Sequence, residues 1–163
     1  LRFFTVYGPR QRPDLAIHKF ARAMLAGCPV PVYGDGSTSR DYTYIGDIID
    51  GVVAAIARRD LQYEIINLGN NHAVNLLEMI RELEDALGVR ARLEWRSEQP
   101  GDVSRTWADI SKARRLLGYQ PRTTFREGLH LFVQWLAWQQ TSELERLNHA
   151  LTLSTSMAPS SMT

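Results

Sequence analysis

Three arginines in the first quarter of the chain are the side chains best suited to bind a charged ligand. Arg10 and Arg12 follow a short apolar run that opens the chain, and Arg40 comes soon after a Gly-Asp-Gly turn. In an open α/β sheet, ligands bind in the crevice beyond the carboxyl ends of the strands. A guanidinium group binds planar oxyanions through two parallel hydrogen bonds. The positions of these arginines therefore predict a site for a ligand with several negative charges.

The elements that must position these arginines alternate between strand and helix signals, which predicts an α/β fold. Short apolar or proline-containing runs predict strands over residues 3–6, 29–33, 42–45, 64–68 and 92–95. Apolar residues at helical spacing predict helices over 15–26, 47–57, 75–87 and 109–117, and a last helix from 124 onward.

The helical pattern is strong in the second helix and weak at the end of the chain. The apolar residues of the second helix that we expect to face the core are Ile48, Ile49, Val52, Val53 and Ile56. From about residue 141 the pattern weakens, although leucines at helical spacing continue. The composition of residues 154–163 is typical of a disordered tail.

The composition is that of a globular domain without a general affinity for nucleic acid or membranes. The 163 residues are 44% hydrophobic and 23% charged, with a formal net charge of +1. No apolar run is long enough to cross a membrane, and no histidine, cysteine and carboxylate spacing indicates a metal site. The single cysteine, Cys28, excludes an internal disulfide and is expected to be a buried thiol. These features predict a cytoplasmic protein.

Several motifs, in order, resemble the C-terminal half of the extended short-chain dehydrogenase/reductase family, the NAD-dependent nucleotide-sugar epimerases and dehydratases. They are RFFTVYGPR at 2–10, VYGDG at 32–36, RDYTYI at 40–45, QPGDV at 99–103 and TWAD at 106–109. The resemblance covers residues 1–139. It implies the last strands of a Rossmann-type parallel sheet plus a smaller α/β substrate-binding subdomain over 1–140. Residues 141–163 would then be a weakly helical to disordered tail, and the N-terminal NAD-binding half would be absent.

The resemblance implies roles for Arg40 and Asp102 at the middle of a nucleotide-sugar ligand. Arg40 matches the arginine that clamps the diphosphate, and an ion pair to Asp41 or Asp47 is its alternative role. Asp102 matches an aspartate that accepts hydrogen bonds from a ribose hydroxyl, with ordinary turn chemistry as the alternative.

Four further positions match the nucleotide end of the family's site. Tyr33 stands where an aromatic ring or apolar edge packs against uracil, although core packing is its alternative role. Ala16 and Ile17 begin a helix whose backbone lines the nucleotide pocket, and a helix N-terminus favours phosphate. Gln99 stands where galactose epimerases place a phosphate-binding arginine, so this chain has one fewer cation for the diphosphate.

The residues that match the sugar end of the family's site indicate which substrate is bound. Thr5 matches the threonine of UDP-glucuronate 4-epimerases that helps hold the sugar carboxylate, whereas UDP-galactose 4-epimerases have asparagine there. A hydroxyl leaves room for a carboxylate and can donate to it. Arg12 matches an arginine near the same end, with a surface turn as its alternative role. Phe3 and Val6 match positions near the nicotinamide of NAD, although both suit a core equally well.

The catalytic residues of the family have no counterpart in this chain. The family uses a Tyr-x-x-x-Lys pair, in which the lysine lowers the pKa of the tyrosine that acts as a base. The residues four positions after the six tyrosines are Gln11, Ser37, Gly46, Ile48, Asn67 and Thr123. None is lysine, and no glycine spacing matches the dinucleotide fingerprint. We therefore expect no catalytic residue here, with NAD bound mainly by the missing half.

By resemblance, the function is the substrate-binding part of a UDP-glucuronate/UDP-galacturonate 4-epimerase that works through a 4-keto intermediate. The alternatives are a nucleotide-sugar dehydratase or decarboxylase of the same family, and a non-catalytic nucleotide-sugar binding module. The intact enzyme is expected to be a homodimer without nucleic-acid or membrane partners. The fragment alone is expected to be inactive and poorly soluble, because its surface toward the missing half is exposed.

Overall fold

Strands and helices alternate along the chain, as the sequence predicts, in a computed structural model that describes residues 1–98 and 100–156. The strands are β1 (Arg2–Phe3), β2 (Thr5–Tyr7), β3 (Val30–Tyr33), β4 (Ser39–Tyr44), β5 (Asn67–Leu68), β6 (Ala73–Asn75) and β7 (Leu93–Arg96). The helices are α1 (Ala16–Leu25), α2 (Ile45–Ala57), α3 (Leu76–Leu87), α4 (Ser111–Leu117) and α5 (Phe125–Ser156).

The described residues form three small sheets, and most of the strand pairs in them are parallel. β1 pairs with β5, and β3 pairs with β7, both in parallel. β4 lies between a parallel neighbour, β2, and an antiparallel one, β6. The predicted opening strand is thus two strands, which break at Phe4 because β1 and β2 pair with different partners. This break allows the chain to leave one sheet and enter the next.

Two hydrophobic clusters form the core. The larger cluster lies between the sheet and the helices α1, α3 and α5, and it includes Ile17, Leu83 and Phe132. The smaller cluster joins α2, α4 and β5 through Ile48 and Leu68. Because β4 lies between the two clusters, its successive side chains point toward different surroundings.

The ends of several helices follow the predicted signals. Asn75 caps α3 by accepting a hydrogen bond from the amide of Leu77, 2.9 Å away, and Gly88 ends that helix with φ of +68°. The amide of Glu127 donates to the hydroxyl of Thr124 at the start of α5. Cys28 follows the last turn of α1 and is exposed, so the expectation of a buried thiol is wrong.

The prediction for α2 is wrong for three of its five apolar residues. Ile48 is 3% exposed, and Val52 packs against the smaller cluster. In contrast, Ile49, Val53 and Ile56 are 50%, 59% and 74% exposed. The helix carries more apolar surface than one face can bury, and no described element covers the second stripe. This exposed stripe of α2 is a contiguous apolar surface, because its residues are spaced at i, i+4 and i+7.

The last helix is longer than predicted. α5 continues to Ser156, so residues 154–156 are helical where a disordered tail was expected. Glu, Arg and Leu are good helix formers and extend the helix past residue 141. Residues 157–163 lie outside the described part of the chain. None of the described helices is long and apolar enough to cross a membrane.

Replacing the exposed stripe of α2 should raise solubility without loss of stability. The triple change Ile49→Gln, Val53→Gln and Ile56→Gln removes exposed apolar surface, and such surface substitutions change the free energy of unfolding by about 0.5 kcal/mol or less each. Ile48→Gln on the buried side is the matched control and should cost about 3 kcal/mol. Urea unfolding and the concentration at which the protein precipitates measure both effects. A triple variant as unstable as Ile48→Gln would contradict the exposure of this stripe.

Candidate functional site

A central cavity of about 310 Å³ lies between α1, β2, β3 and β4. Six of the residues predicted to bind a ligand line it: Thr5, Ala16, Ile17, Tyr33, Arg40 and Asp102. Thr5 and Tyr42 are register partners on β2 and β4, so their side chains lie next to each other on one face of the sheet. The topology therefore brings together residues from three distant parts of the chain.

Arg40 and Asp102 form an ion pair across this cavity. Nη2 of Arg40 lies 2.5 Å from Oδ1 of Asp102, and Nη1 donates to the carbonyl of Ser39 at 2.9 Å. The side chains are 23% and 44% exposed, so the pair remains accessible to a ligand. The alternative that Arg40 pairs with Asp41 or Asp47 is wrong, because both of those carboxylates accept hydrogen bonds from backbone amides elsewhere.

Asp41 fixes the strand that presents Arg40. Its side chain is fully buried, and its two oxygens accept from the amides of Asn70, Asn71 and Ala108 at 2.7 to 2.9 Å. The hydroxyl of Thr43 donates to the same carboxylate at 3.0 Å. Since side chains alternate along a strand, Asp41 on one face holds Arg40 on the other.

The start of α1 offers backbone donors to the cavity. The helix begins after Leu15, which provides no side-chain cap, and its first turn contains no acidic residue. The first amides of a helix have no intrahelical partner, and they form a partial positive charge with the helix dipole. Ala16 and Ile17 contribute this helix end to the cavity wall. An anionic group is therefore favoured at this wall.

One edge of the cavity is formed by the end of β3, which a turn follows. Tyr33 is the last residue of β3 and is half-buried. The turn is closed by Asp35, whose carboxylate accepts from the amide of Ser37 at 2.8 Å. A hydrogen bond with the side chain of Ser37, together with the one from its backbone amide, lowers the pKa of the exposed Asp35 below its ordinary value. The turn thus holds the ring of Tyr33 in a fixed position at one edge of the cavity.

Gln11 lines the central cavity, although the sequence reasoning did not select it. Its Nε2 donates to the carbonyl of Val6 at 3.2 Å, whereas its Oε1 is buried and has no hydrogen-bond partner among the described residues. A buried acceptor without a partner is costly and often marks a ligand contact. The only sequence signal was its position between two arginines in a turn.

Three of the described residues that were predicted to bind ligand or cofactor do not line the central cavity. The guanidinium of Arg12 is exposed and pairs with Asp14 at 2.9 Å. Val6 points to the opposite face of β2 from Thr5, and Phe3 is 53% exposed on β1. Gln99 lies outside the described residues.

Tyr42 lines the cavity and is not suited to act as a base at neutral pH. Burial raises its pKa to about 12, and the nearby charge of Arg40 offsets only part of that effect. Its ring stacks on Phe125 with the centroids 5.3 Å apart. The residue four positions after Tyr42 is Gly46, not lysine.

A protein-family model described as GDP-mannose 4,6 dehydratase matches residues 1–132. The chain belongs to the extended short-chain dehydrogenase/reductase family. The family and the α/β fold with parallel sheets, both expected from the motifs, are therefore confirmed.

The individual relatives include epimerases of two kinds. A UDP-glucuronate 4-epimerase of Thermodesulfobacterium geofontis is 42% identical over 83% of this chain and 42% of its own length. The crystal structure of UDP-glucuronic acid 4-epimerase from Bacillus cereus, in complex with UDP-glucuronic acid and NAD, superposes with a TM-score of 0.80. It is 41% identical over 85% of this chain and 44% of that one. A UDP-glucose 4-epimerase of Thermotoga maritima has the same TM-score at 29% identity, over 85% and 45% of the two chains. The chain thus spans less than half the length of these relatives.

Removing the charge of Asp41 should weaken both the fold and the cavity. Asp41→Asn replaces an oxygen by an amide that cannot accept from the surrounding backbone donors, so we expect a loss of about 2 kcal/mol in the free energy of unfolding. Asp35→Asn, in an exposed turn, is the matched control and should cost less than about 1 kcal/mol. Chemical unfolding followed by circular dichroism provides the comparison. Equal losses would contradict the anchoring role of Asp41.

Proposed function

We propose that this chain is the substrate-binding part of an NAD-dependent nucleotide-sugar 4-epimerase, with a UDP-hexuronate as its ligand. The observation that supports this most directly is that Arg40, Asp102, the ring of Tyr33 and the hydroxyl of Thr5 line one cavity. These groups are of the kinds that the diphosphate, ribose, base and sugar of a nucleotide sugar require.

The diphosphate would bind between Arg40 and the start of α1. A guanidinium has five N–H donors, so Arg40 can bond a phosphate while it keeps part of its contact with Asp102. The oxygen of Asp102 that Arg40 does not engage would accept from a ribose hydroxyl. With Gln99 in place of a second cation, the backbone amides of Ala16 and Ile17 would supply the remaining donors.

The sugar would lie toward Thr5 and Gln11. Thr5 can donate to the carboxylate of a hexuronate, and the buried Oε1 of Gln11 can accept from a sugar hydroxyl. Arg12 would turn toward the same end on binding, because its exposed ion pair with Asp14 contributes little stability and is easily exchanged. The assignment to hexuronates is supported by the Bacillus cereus structure, which holds UDP-glucuronic acid and is 41% identical, whereas the Thermotoga maritima structure with UDP-glucose is 29% identical. A further neighbour, 38% identical, has been solved with either ligand, so the support is for the UDP-sugar site first and for the hexuronate second.

The chemical step would depend on a part of the enzyme that this chain lacks. A bound NAD would supply the hydride chemistry at C4 of the sugar, while the residues of this chain would hold the substrate. The tyrosine base and its lysine would come from an N-terminal NAD-binding half, with Phe3 and Val6 beside the nicotinamide. The same half would cover the exposed stripe of α2 and the open edge of β1, whose one described strand partner is β5. The role of this chain is to hold the nucleotide firmly while the hexose can turn over.

A non-catalytic nucleotide-sugar binding module is the second candidate, and the missing Tyr-x-x-x-Lys pair favours it. The two candidate functions predict different activities for a protein in which the chain is joined to the NAD-binding half of the Bacillus cereus relative. Interconversion of UDP-glucuronate and UDP-galacturonate by the joined protein supports the epimerase. Binding of both without interconversion supports the module.

Arg40→Ala should weaken the binding of UDP and UDP-glucuronate by at least tenfold. The change removes a charge-assisted contact to the diphosphate, which is common to both ligands. Arg114→Ala, an exposed arginine on α4 away from the cavity, is the matched control and should bind like the unaltered chain. Isothermal titration calorimetry on samples with unchanged circular dichroism measures the difference. Unchanged affinity in Arg40→Ala would reject the proposed diphosphate site.

Thr5→Asn should weaken the binding of the sugar carboxylate without changing the binding of the nucleotide. An amide would crowd the carboxylate, so we expect about tenfold weaker binding of UDP-glucuronate and an unchanged affinity for UDP. UDP-glucose, which has no carboxylate, is the matched ligand control, and its affinity should fall by less. If the unaltered chain binds UDP-glucuronate and UDP-glucose equally, the hexuronate assignment is wrong while the family site stands.

A further inference from the structure

A second and larger cavity lies on the far side of α1. Its volume is about 630 Å³, and it is lined by Arg10, Gln11, Arg12, Pro13, His18, Arg22, Trp135, Leu136, Gln139 and Gln140. These residues come from the loop after β2, from α1 and from α5, and we refer to them as the basic groove. Among the described residues, the lining contains three arginines and a histidine but no acidic residue.

The basic groove is separate from the central cavity. Ala16 and Phe20 face the central cavity, whereas His18 and Arg22 face the groove. At 100° per residue these pairs lie on opposite sides of α1, so the helix forms a wall between the two spaces. Gln11 lines both and is the point at which they meet.

The positive charges of the groove are available to a ligand. Among the side chains that the structure describes, no salt bridge involves Arg10 or Arg22. Arg12 pairs with Asp14 only at the surface. A cation in the last turn of a helix is stabilised by the helix dipole, and this effect explains the presence of Arg22. It does not explain why Arg10, Arg12 and His18 lie in the same groove.

His18 is held in one orientation, and the hydrogen bond that holds it uses only one of the two ring nitrogens. Its Nδ1 lies 2.7 Å from the carbonyl oxygen of Gln11, and because a carbonyl only accepts, Nδ1 carries the proton. The ring packs edge-on against Phe132 and Trp135, with centroids 5.6 and 5.7 Å apart. Nε2 is therefore positioned by fixed contacts and remains for a group that enters the groove.

The backbone at Arg10 is in an uncommon conformation. Its φ is +66°, which costs a non-glycine residue about 1 kcal/mol or more. The turn is held by a hydrogen bond from the amide of Gln11 to the carbonyl of Gly8, 3.1 Å long. A strained residue of this kind is often found where a side chain must be presented to a ligand. Here it presents Arg10 at the mouth of the groove.

We propose that the basic groove binds a phosphorylated small molecule, distinct from the nucleotide sugar of the central cavity. Arg10 and Arg22 bind the phosphate oxygens through charge-assisted hydrogen bonds, and Nε2 of His18 accepts from a hydroxyl of the bound molecule. The indole of Trp135 and the amides of Gln139 and Gln140 contact the rest of the molecule. The volume accommodates more than a single phosphate group.

The test uses the Arg40→Ala chain, in which binding in the central cavity is expected to be weakened at least tenfold. Inorganic phosphate, pyrophosphate and UMP are titrated separately into this protein by calorimetry at low salt. We expect saturable binding of pyrophosphate and UMP to one site, with inorganic phosphate weaker. Adding Arg22→Gln or Arg10→Gln should weaken this binding by at least tenfold. Adding Arg114→Gln, which removes the same charge from α4, should leave it unchanged.

Three results would overturn the proposal. The first is no saturable binding of any probe in the Arg40→Ala chain with an unchanged circular dichroism spectrum. The second is an equal loss from Arg114→Gln and Arg22→Gln, which would mean attraction to the general charge of the protein. The third is binding that the unaltered chain shows and Arg40→Ala abolishes, which would place the anion in the central cavity and leave the proposed function intact.

Discussion

The buried carboxylate of Asp41 is the contact on which the rest of the site depends. It gathers three backbone amides from two loops distant in sequence, and it does so from the middle of the strand that separates the two core clusters. A buried charge is stable only when its oxygens are fully hydrogen-bonded, so the loops around residues 70 and 108 cannot move independently of β4. This fixed strand is what gives the neighbouring Arg40 a defined direction.

The ion pair between Arg40 and Asp102 has a different character, because it is partly exposed and lies across a cavity. An exposed pair contributes little to stability, whereas a ligand that offers an anion to one partner and a hydroxyl to the other can replace it at low cost. The opposite charges of the two side chains thus nearly cancel within the pair. Under the proposed function, the same two side chains would become binding groups for the ligand.

The sequence predicted the parts of the site that local motifs define. Thr5, Tyr33, Arg40 and Asp102 follow strand ends or turns whose residue types are specific, and these side chains do meet at the cavity. The contact between Arg40 and Asp102 could not be predicted, since it joins residues 62 positions apart through a sheet register that the sequence does not state. The exposed stripe of α2 was missed for another reason: periodicity reports that a face is apolar but not what covers it. Gln11 was missed because an amide in a turn gives no signal until its burial is known.

The alternation along β4 also limits how this protein can change. Arg40 and Tyr42 line the cavity, while Asp41 and Thr43 lie on the opposite, buried side. A shift of one residue in the pairing of this strand would exchange the two sets and place a guanidinium where a hydrogen-bonded carboxylate belongs. The strand can therefore acquire new ligand preferences by substitution at every second position. It cannot gain or lose a single residue, because alternate residues of this short strand serve ligand binding and the stability of the fold.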